Sequence, residues 1–138
     1  MKILIAVLMM VFSISARAEW TYIENADGGG GLIKFYIDFD TVKKLSINDV
    51  RAWVMASYPK YREQKEKGKD QSYKSLLSYD CETMSSIHLA HAQYSKPMGE
   101  GEKLYETHNP KKDRAFAIPD HPGYVLIKKI CDKATSIF

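Results

Sequence analysis

Ile33, Phe35, Ile37 and Phe39 alternate with Lys34, Tyr36 and Asp38, the period-2 pattern of a strand that turns one face to a core. Residues 19–23 form a shorter strand ahead of it, and the glycines from Gly28 to Gly31 follow Asp27 as a turn. Residues 40–45 read either as one helical turn or as an extension, before the punctuation of Asn48 and Asp49. From Val50 to Tyr58 both parities carry apolar side chains, with Val50, Ala52, Val54, Ala56 and Tyr58 on one and Trp53 and Met55 on the other. That pattern predicts a central strand, closed by Pro59. Tyr73, Leu77, Tyr79 and Cys81 then share a strand face, with Lys74, Ser78, Asp80 and Glu82 mostly opposite, so Cys81 points inward. Residues 84–94 are strand-like but mixed, residues 97–101 make a turn, and residues 103–107 form a short strand.

The pattern changes period near the end of the chain. Residues 115–118 are a short apolar segment stopped by Pro119. Asp120 can then cap a helix with Pro122 in its first turn, and Tyr124, Ile127, Cys131 and Ala134 fall on one stripe at spacings of three and four. Short connections between successive strands favour antiparallel pairing, because parallel neighbours need crossovers of a dozen residues or more. The expected fold is therefore α+β: one antiparallel sheet of about five or six strands, a C-terminal helix packed on it, and one disulfide.

The first residues belong to a different kind of segment. Met1 and Lys2 precede an apolar run from Ile3 to Ile14, and Ala16-Arg17-Ala18 places small residues two apart before Glu19. This is the tripartite pattern of an export signal cut after Ala18. The run is too short for a retained span, which needs ~20 helical residues, so no transmembrane anchor is expected. Position 19 is Glu and not Cys, so no acylated cysteine would tether the mature chain. The expected organisation is a cleaved signal at 1–18 and a single domain at 19–138, either periplasmic or secreted to the cell surface.

Cleavage also changes the charge. The 138 residues carry 20 basic and 17 acidic side chains, and removal of Lys2 and Arg17 leaves 18 against 17, a net charge of +1. Such a balance gives a polyanion no overall attraction, so nucleic acid is not an expected partner. Cys81 and Cys131 are the only cysteines. An even pair in an exported chain, one on an inward strand face and one on the buried stripe of the helix, predicts a bridge between them.

The residues offer little reaction chemistry. Gly28 to Gly31 is followed by Leu32-Ile33-Lys34, without the Gly-Lys-Ser/Thr of a phosphate loop. His88 and His91 are three apart on a strand, which sends them to opposite faces, and His108 and His121 lie in loops, so no metal site is expected. No Gly-x-Ser-x-Gly elbow occurs, and Asp38, Asp40 and Asp80 stand singly on or beside strands. Small exported domains of this kind read as binding modules: no enzyme and no cofactor. The candidate binding loop is residues 60–70, where Lys60, Arg62, Lys65, Lys67 and Lys69 accompany Tyr61. Glu63, Glu66 and Asp70 reduce its charge to +2, so the same composition also suits a solvated hairpin tip. Lys111, Lys112 and Arg114 make a smaller patch with the same two readings.

In order along the chain, Tyr36-Ile37-Asp38, Val50 with Trp53, Tyr79-Asp80-Cys81, Phe116 with Pro119, and Cys131 resemble the bacterial surface-adhesin protein E family. The resemblance covers about residues 20–131. It implies a small antiparallel sheet with an attached C-terminal helix, and binding to a host extracellular-matrix or serum protein. The expected lack of an anchor supports the alternative of a periplasmic accessory or inhibitor protein whose partner is an envelope protein, namely an envelope enzyme.

Overall fold

The computed structural model describes residues 17–28, 31–58 and 71–137. The chain forms β1 (Trp20–Gly28), β2 (Gly31–Ser46), β3 (Asp49–Ser57), β4 (Ser72–Asp80), β5 (Ser85–Tyr94), β6 (Lys103–Thr107), β7 (Ala115–Phe116) and α1 (Pro122–Thr135). All pairings are antiparallel, and β1 to β6 lie side by side in chain order. The two-residue β7 pairs with Ser85 and Ser86, on the edge of β5 that β6 occupies further along. The expected sheet, helix and disulfide are all present.

Period-2 alternation decides which side chains meet. Register places Phe35, Ala56 and Tyr73 in one row, Ile37, Val54 and Ser75 in the next, then Ala52 with Leu77 and Val50 with Tyr79. Opposed residues of an antiparallel pair project from the same side, so these rows build one apolar face. On it α1 lays Leu126, Ile127, Ile130 and Ala134, all buried, to complete a core with Ile37, Val42, Val50, Ala52, Leu77 and Tyr79. Burial pushes the Tyr79 phenol well above its ordinary pKa. The buried stripe of α1 differs from the predicted one in gaining Leu126 and Ile130 and in leaving Tyr124 and Cys131 half-buried, Cys131 packed against the core.

Two local expectations are revised. The cap of α1 is His121 and not Asp120: His121 has the extended backbone of a cap (φ −95°, ψ 146°), and its Nδ1 accepts the Gly123 N–H at 3.2 Å. Asp120 instead takes a left-handed conformation at φ +65°, which turns the chain into the helix. Residues 40–45 extend β2 and do not make a helical turn. Between the pairs Asp38 with Trp53 and Lys43 with Arg51 the ladder is interrupted, and the Thr41 hydroxyl fills the gap. It accepts the Trp53 N–H at 3.0 Å and donates to the Asp38 carbonyl at 2.7 Å, leaving no central-strand donor orphaned.

The other face of the sheet is closed by a turn instead of a helix. Met55, Ser57 and Ser72 are buried there beneath the 3-10 turn Pro97–Gly99. Ser57 Oγ accepts the Met98 N–H at 2.9 Å, and Ser72 Oγ accepts the Gly99 N–H at 2.8 Å while donating to the Lys96 carbonyl at 2.6 Å. Lys74 runs between Trp20 and Tyr94, its Nζ 5.6 and 5.1 Å from their ring centroids. Gly99, at φ +69°, passes so close to Lys74 that a Cβ would collide with it.

The connection from β4 to β5 is organised by Asp80. Its carboxylate accepts the Glu82 and Thr83 N–H groups at 2.9 and 3.0 Å and the Asn48 amide at 3.1 Å. Chiefly the Thr83 backbone bond, with the others and against the opposing cost of burial, holds its pKa below the ordinary 3.8. A carboxyl depressed on folding stabilises the fold above its unfolded pKa and loses that contribution as pH falls through the folded value. Asp80→Asn is therefore expected to cost about 1 kcal/mol at pH 7, a deficit that shrinks below pH 4. Urea unfolding of both proteins across pH 2–7 checks this; an equal deficit at every pH would contradict the charged role.

Candidate functional site

Because α1 crosses the β1–β3 half of the sheet, in contact mainly with β2, the same apolar face is left open over β3, β4 and β5. The segment from Lys111 through β7 to the start of α1 runs along that opening as a strap, tied by Lys111 N–H to the His88 carbonyl at 3.0 Å and Ala117 N–H to the Met84 carbonyl at 2.9 Å. Sheet, strap and helix start enclose a groove of about 480 Å³. Phe35, Val54, Ala56 and Leu77 form its floor, Ala117 and Ile118 one side, and Leu126 and Ile127 the other. At its rim Phe116 and Ile118 are 68% and 70% exposed.

Three histidines, His88, His91 and His121, also line the groove. Strand alternation had predicted His88 and His91 on opposite faces, and the structure corrects this. The register moves from Leu76 with Ala90 to Leu77 with His88, leaving Leu89 without an opposite residue. That one-residue bulge reverses the parity of β5, so His88 and His91 come to the same face with ring centroids 6.4 Å apart, edge to face. Among the described residues no group of three or more His, Cys, Asp or Glu side chains is arranged to hold a metal ion.

The two imidazoles differ in their surroundings. His91 stacks on Tyr73 with centroids 5.9 Å apart, and both its nitrogens are engaged, Nδ1 with Ser75 Oγ at 2.8 Å and Nε2 with the Gln93 side-chain amide at 3.2 Å. With the Gln93 amide donating to Nε2, Nδ1 carries the proton and donates to Ser75. The Ser75 to His91 distance is that of a nucleophile and its base. Ser75 itself lies within the paired β3–β4–β5 ladder, between Val54 and His91. The arrangement fixes the His91 ring as part of the wall. The His88 ring has no hydrogen-bond partner among the described residues; burial first, then Lys111 and His91, lower its pKa from 6.5 and keep it neutral at pH 7.

The candidate loop of Lys60, Tyr61, Arg62, Lys65, Lys67 and Lys69 lies outside the described residues. Its neck is within them: Tyr58 N–H donates to the Gln71 carbonyl at 3.0 Å, so the segment leaves and re-enters the sheet side by side. In the smaller patch Lys111 and Lys112 are exposed, while Arg114 is half-buried and donates to Ser85 Oγ at 3.3 Å. Cys81 and Cys131 are bonded, Cα to Cα 5.8 Å, joining the end of β4 to the last turns of α1. In the sequence Phe116 and Ile118 belong to a short apolar segment, and Phe116 with Pro119 to the family resemblance, but the groove behind them has no sequence signal.

The family profile described as surface-adhesin protein E matches residues 20–132. Crystal form II of Haemophilus influenzae protein E is similar in structure at a TM-score of 0.58 and 17% identity, over 86% of this chain and 94% of that one. A second Haemophilus influenzae protein E structure gives 0.55 and 16%, over 91% and 96%. Protein E from the non-typeable organism gives 0.53 and 16%, over 91% and 84%. No curated protein sequence matches the chain.

Proposed function

The chain belongs to the surface-adhesin protein E family, and from that premise we propose an exported, non-enzymatic binding protein whose strap rim contacts a protein ligand. The supporting observation is the exposure of Phe116 and Ile118, two large apolar side chains held in water at 68% and 70% on a segment otherwise tied to the sheet. Exposed apolar residues beside a groove are the usual mark of an interaction site. The mature protein starts at Glu19 after signal cleavage, and its ligand is a host matrix or serum protein if the chain is displayed, or an envelope protein if it stays in the periplasm. Among the described residues no helix is long and apolar enough to cross a membrane. The basic loop of residues 60–70 is a second contact surface in this reading.

Protease added to intact cells separates the two compartments: degradation before the outer membrane is broken supports display, and protection until then points to a periplasmic accessory or inhibitor. Crosslinking in cells then identifies the partner. The double variant F116S/I118S is expected to lose at least tenfold in affinity for that partner with its melting temperature nearly unchanged, since both side chains are already exposed. Lys65, Lys67 and Lys69 changed together to Gln should weaken binding at low salt and much less at high salt, because exposed charges act over about a Debye length, ~10 Å at 0.1 M. Full affinity in both variants would remove both surfaces from the function.

A further inference from the structure

We propose that the interior of the groove is a binding site for a small single-chain amphiphile with an anionic head, of the fatty-acid class, its chain lying on the sheet and its head beside His88 and Lys111. This site goes beyond the protein-binding reading and stands independently of it, since that reading concerns the exposed rim. Three observations carry it.

The space is of ligand size. About 480 Å³ falls within the roughly 300–1,000 Å³ typical of small-molecule pockets. Its floor and sides are hydrocarbon and aromatic surface: Phe35, Val54, Ala56 and Leu77 from three strands, and Leu126 and Ile127 from α1. Such lining offers a polar ligand body nothing and an alkyl chain a continuous track.

The polar groups are divided unequally. Tyr73, Ser75, His91 and Gln93 interact with one another by stacking and by hydrogen bonds, which satisfies the His91 ring. The His88 imidazole faces the groove without a hydrogen-bond partner among the described residues. Both ring nitrogens are therefore open at that wall, and the N–H among them can donate to an anionic head.

Charge at that wall has one sign. Lys111 bonds the His88 backbone through its own N–H at 3.0 Å, and its ammonium acts on the His88 ring. Lys111 and His91 are the charged or titratable groups that act on His88, and His121 also lines the groove, at the start of α1. Lys111 forms no ion pair with Asp113, Asp120 or any other acid among the described residues. An unpaired cation and an open imidazole at the side of an apolar groove complement a carboxylate head on an alkyl chain.

Isothermal titration of the mature protein with sodium dodecanoate, below its micelle concentration, tests the proposal. One saturable site is expected. Shortening the chain should weaken binding about fourfold per methylene, about fifteenfold for decanoate. Dodecyltrimethylammonium, with the same chain and the opposite charge, should bind at least tenfold more weakly. Lys111→Gln should lose five- to tenfold for dodecanoate and nothing for the cationic amphiphile. Ala56→Phe fills the groove floor and should abolish binding; if it does not fold, Ala115→Phe on the exposed strap serves the same purpose. The proposal is overturned by absence of a saturable site, by equal affinity for the two head charges, or by wild-type affinity in the groove-filling variant. Co-sedimentation with phosphatidylglycerol vesicles that Ala56→Phe leaves intact would likewise overturn it, since it would place lipid contact outside the groove. Partner crosslinking through Phe116 and Ile118 survives any of these failures, so the two readings are told apart.

Discussion

Replacing Cys131 by Ala is expected to lower the unfolding free energy by about 4 kcal/mol and to release α1 before any strand. The bridge closes a loop of 50 residues, and in the chain-entropy model a loop of that length removes about 4 kcal/mol of freedom from the unfolded state. That is comparable with the whole stability of a small domain, about 5–15 kcal/mol. The effect is local in the native state because α1 is reached only through the strap, and Cys131 sits in its second half, where it is held to the end of β4. Amide exchange should show the protection of residues 124–134 falling toward that of the strap while β3 and β4 keep theirs. Chemical denaturation of wild type and variant measures the magnitude. A loss below about 1 kcal/mol, or uniform loss of protection across the sheet, would contradict the assignment of the bridge as the fastener of the helix.

Ile130→Ala is the second large effect, about 3–4 kcal/mol. Ile130 has no exposed surface and belongs to the same buried core as Ile37, Val50 and Tyr79. Removing three carbons there forfeits their transfer free energy and opens a cavity that the sheet, braced by six paired strands, cannot collapse to fill. The bridge and this side chain hold the same helix to the same face. In the double variant the two losses should therefore sum to less than their separate values, since a helix already undocked gains nothing from Ile130. A double-mutant cycle on denaturation midpoints reads the coupling. Strict additivity would mean that the helix stays docked without the bridge.

What could be read from the residues, and what could not, divides along a physical line. Alternation at 33–39, the two-faced apolar pattern at 50–58 and the inward parity of Tyr79 and Cys81 are local consequences of strand geometry, and they held. Cys131 on the core-facing side of α1, half-buried beside its stripe, followed from helical spacing in the same way. The bulge at Leu89 left no comparable trace, because nothing in Ile87-His88-Leu89-Ala90-His91 distinguishes an unpaired residue from a paired one. Parity arguments fail at such an insertion, and His88 with His91 was misplaced for that reason alone. The cap shifted from Asp120 to His121 because the neighbouring residues could both accept a backbone hydrogen bond, and the backbone angles made the choice. The groove was illegible for a different reason: it arises from where α1 does not lie, and an uncovered half of a sheet has no sequence signature of its own.

Strand order that follows chain order has a kinetic consequence. Each pairing from β1 to β6 joins neighbours in sequence, so the sheet can grow rung by rung from contacts that cost little loop closure. Among the contacts between described elements, the return of α1 to β1–β3 reaches furthest along the chain, and the bridge to β4 spans 50 residues. They are therefore expected to come last, after the strands have paired. Until then Ile37, Val50, Ala52 and Leu77 stand on an uncovered sheet face, the kind of surface through which partly folded chains stick to one another. The bridge thus guards the solubility of newly folding chains as well as the stability of finished ones, by making the covering of that face hard to reverse.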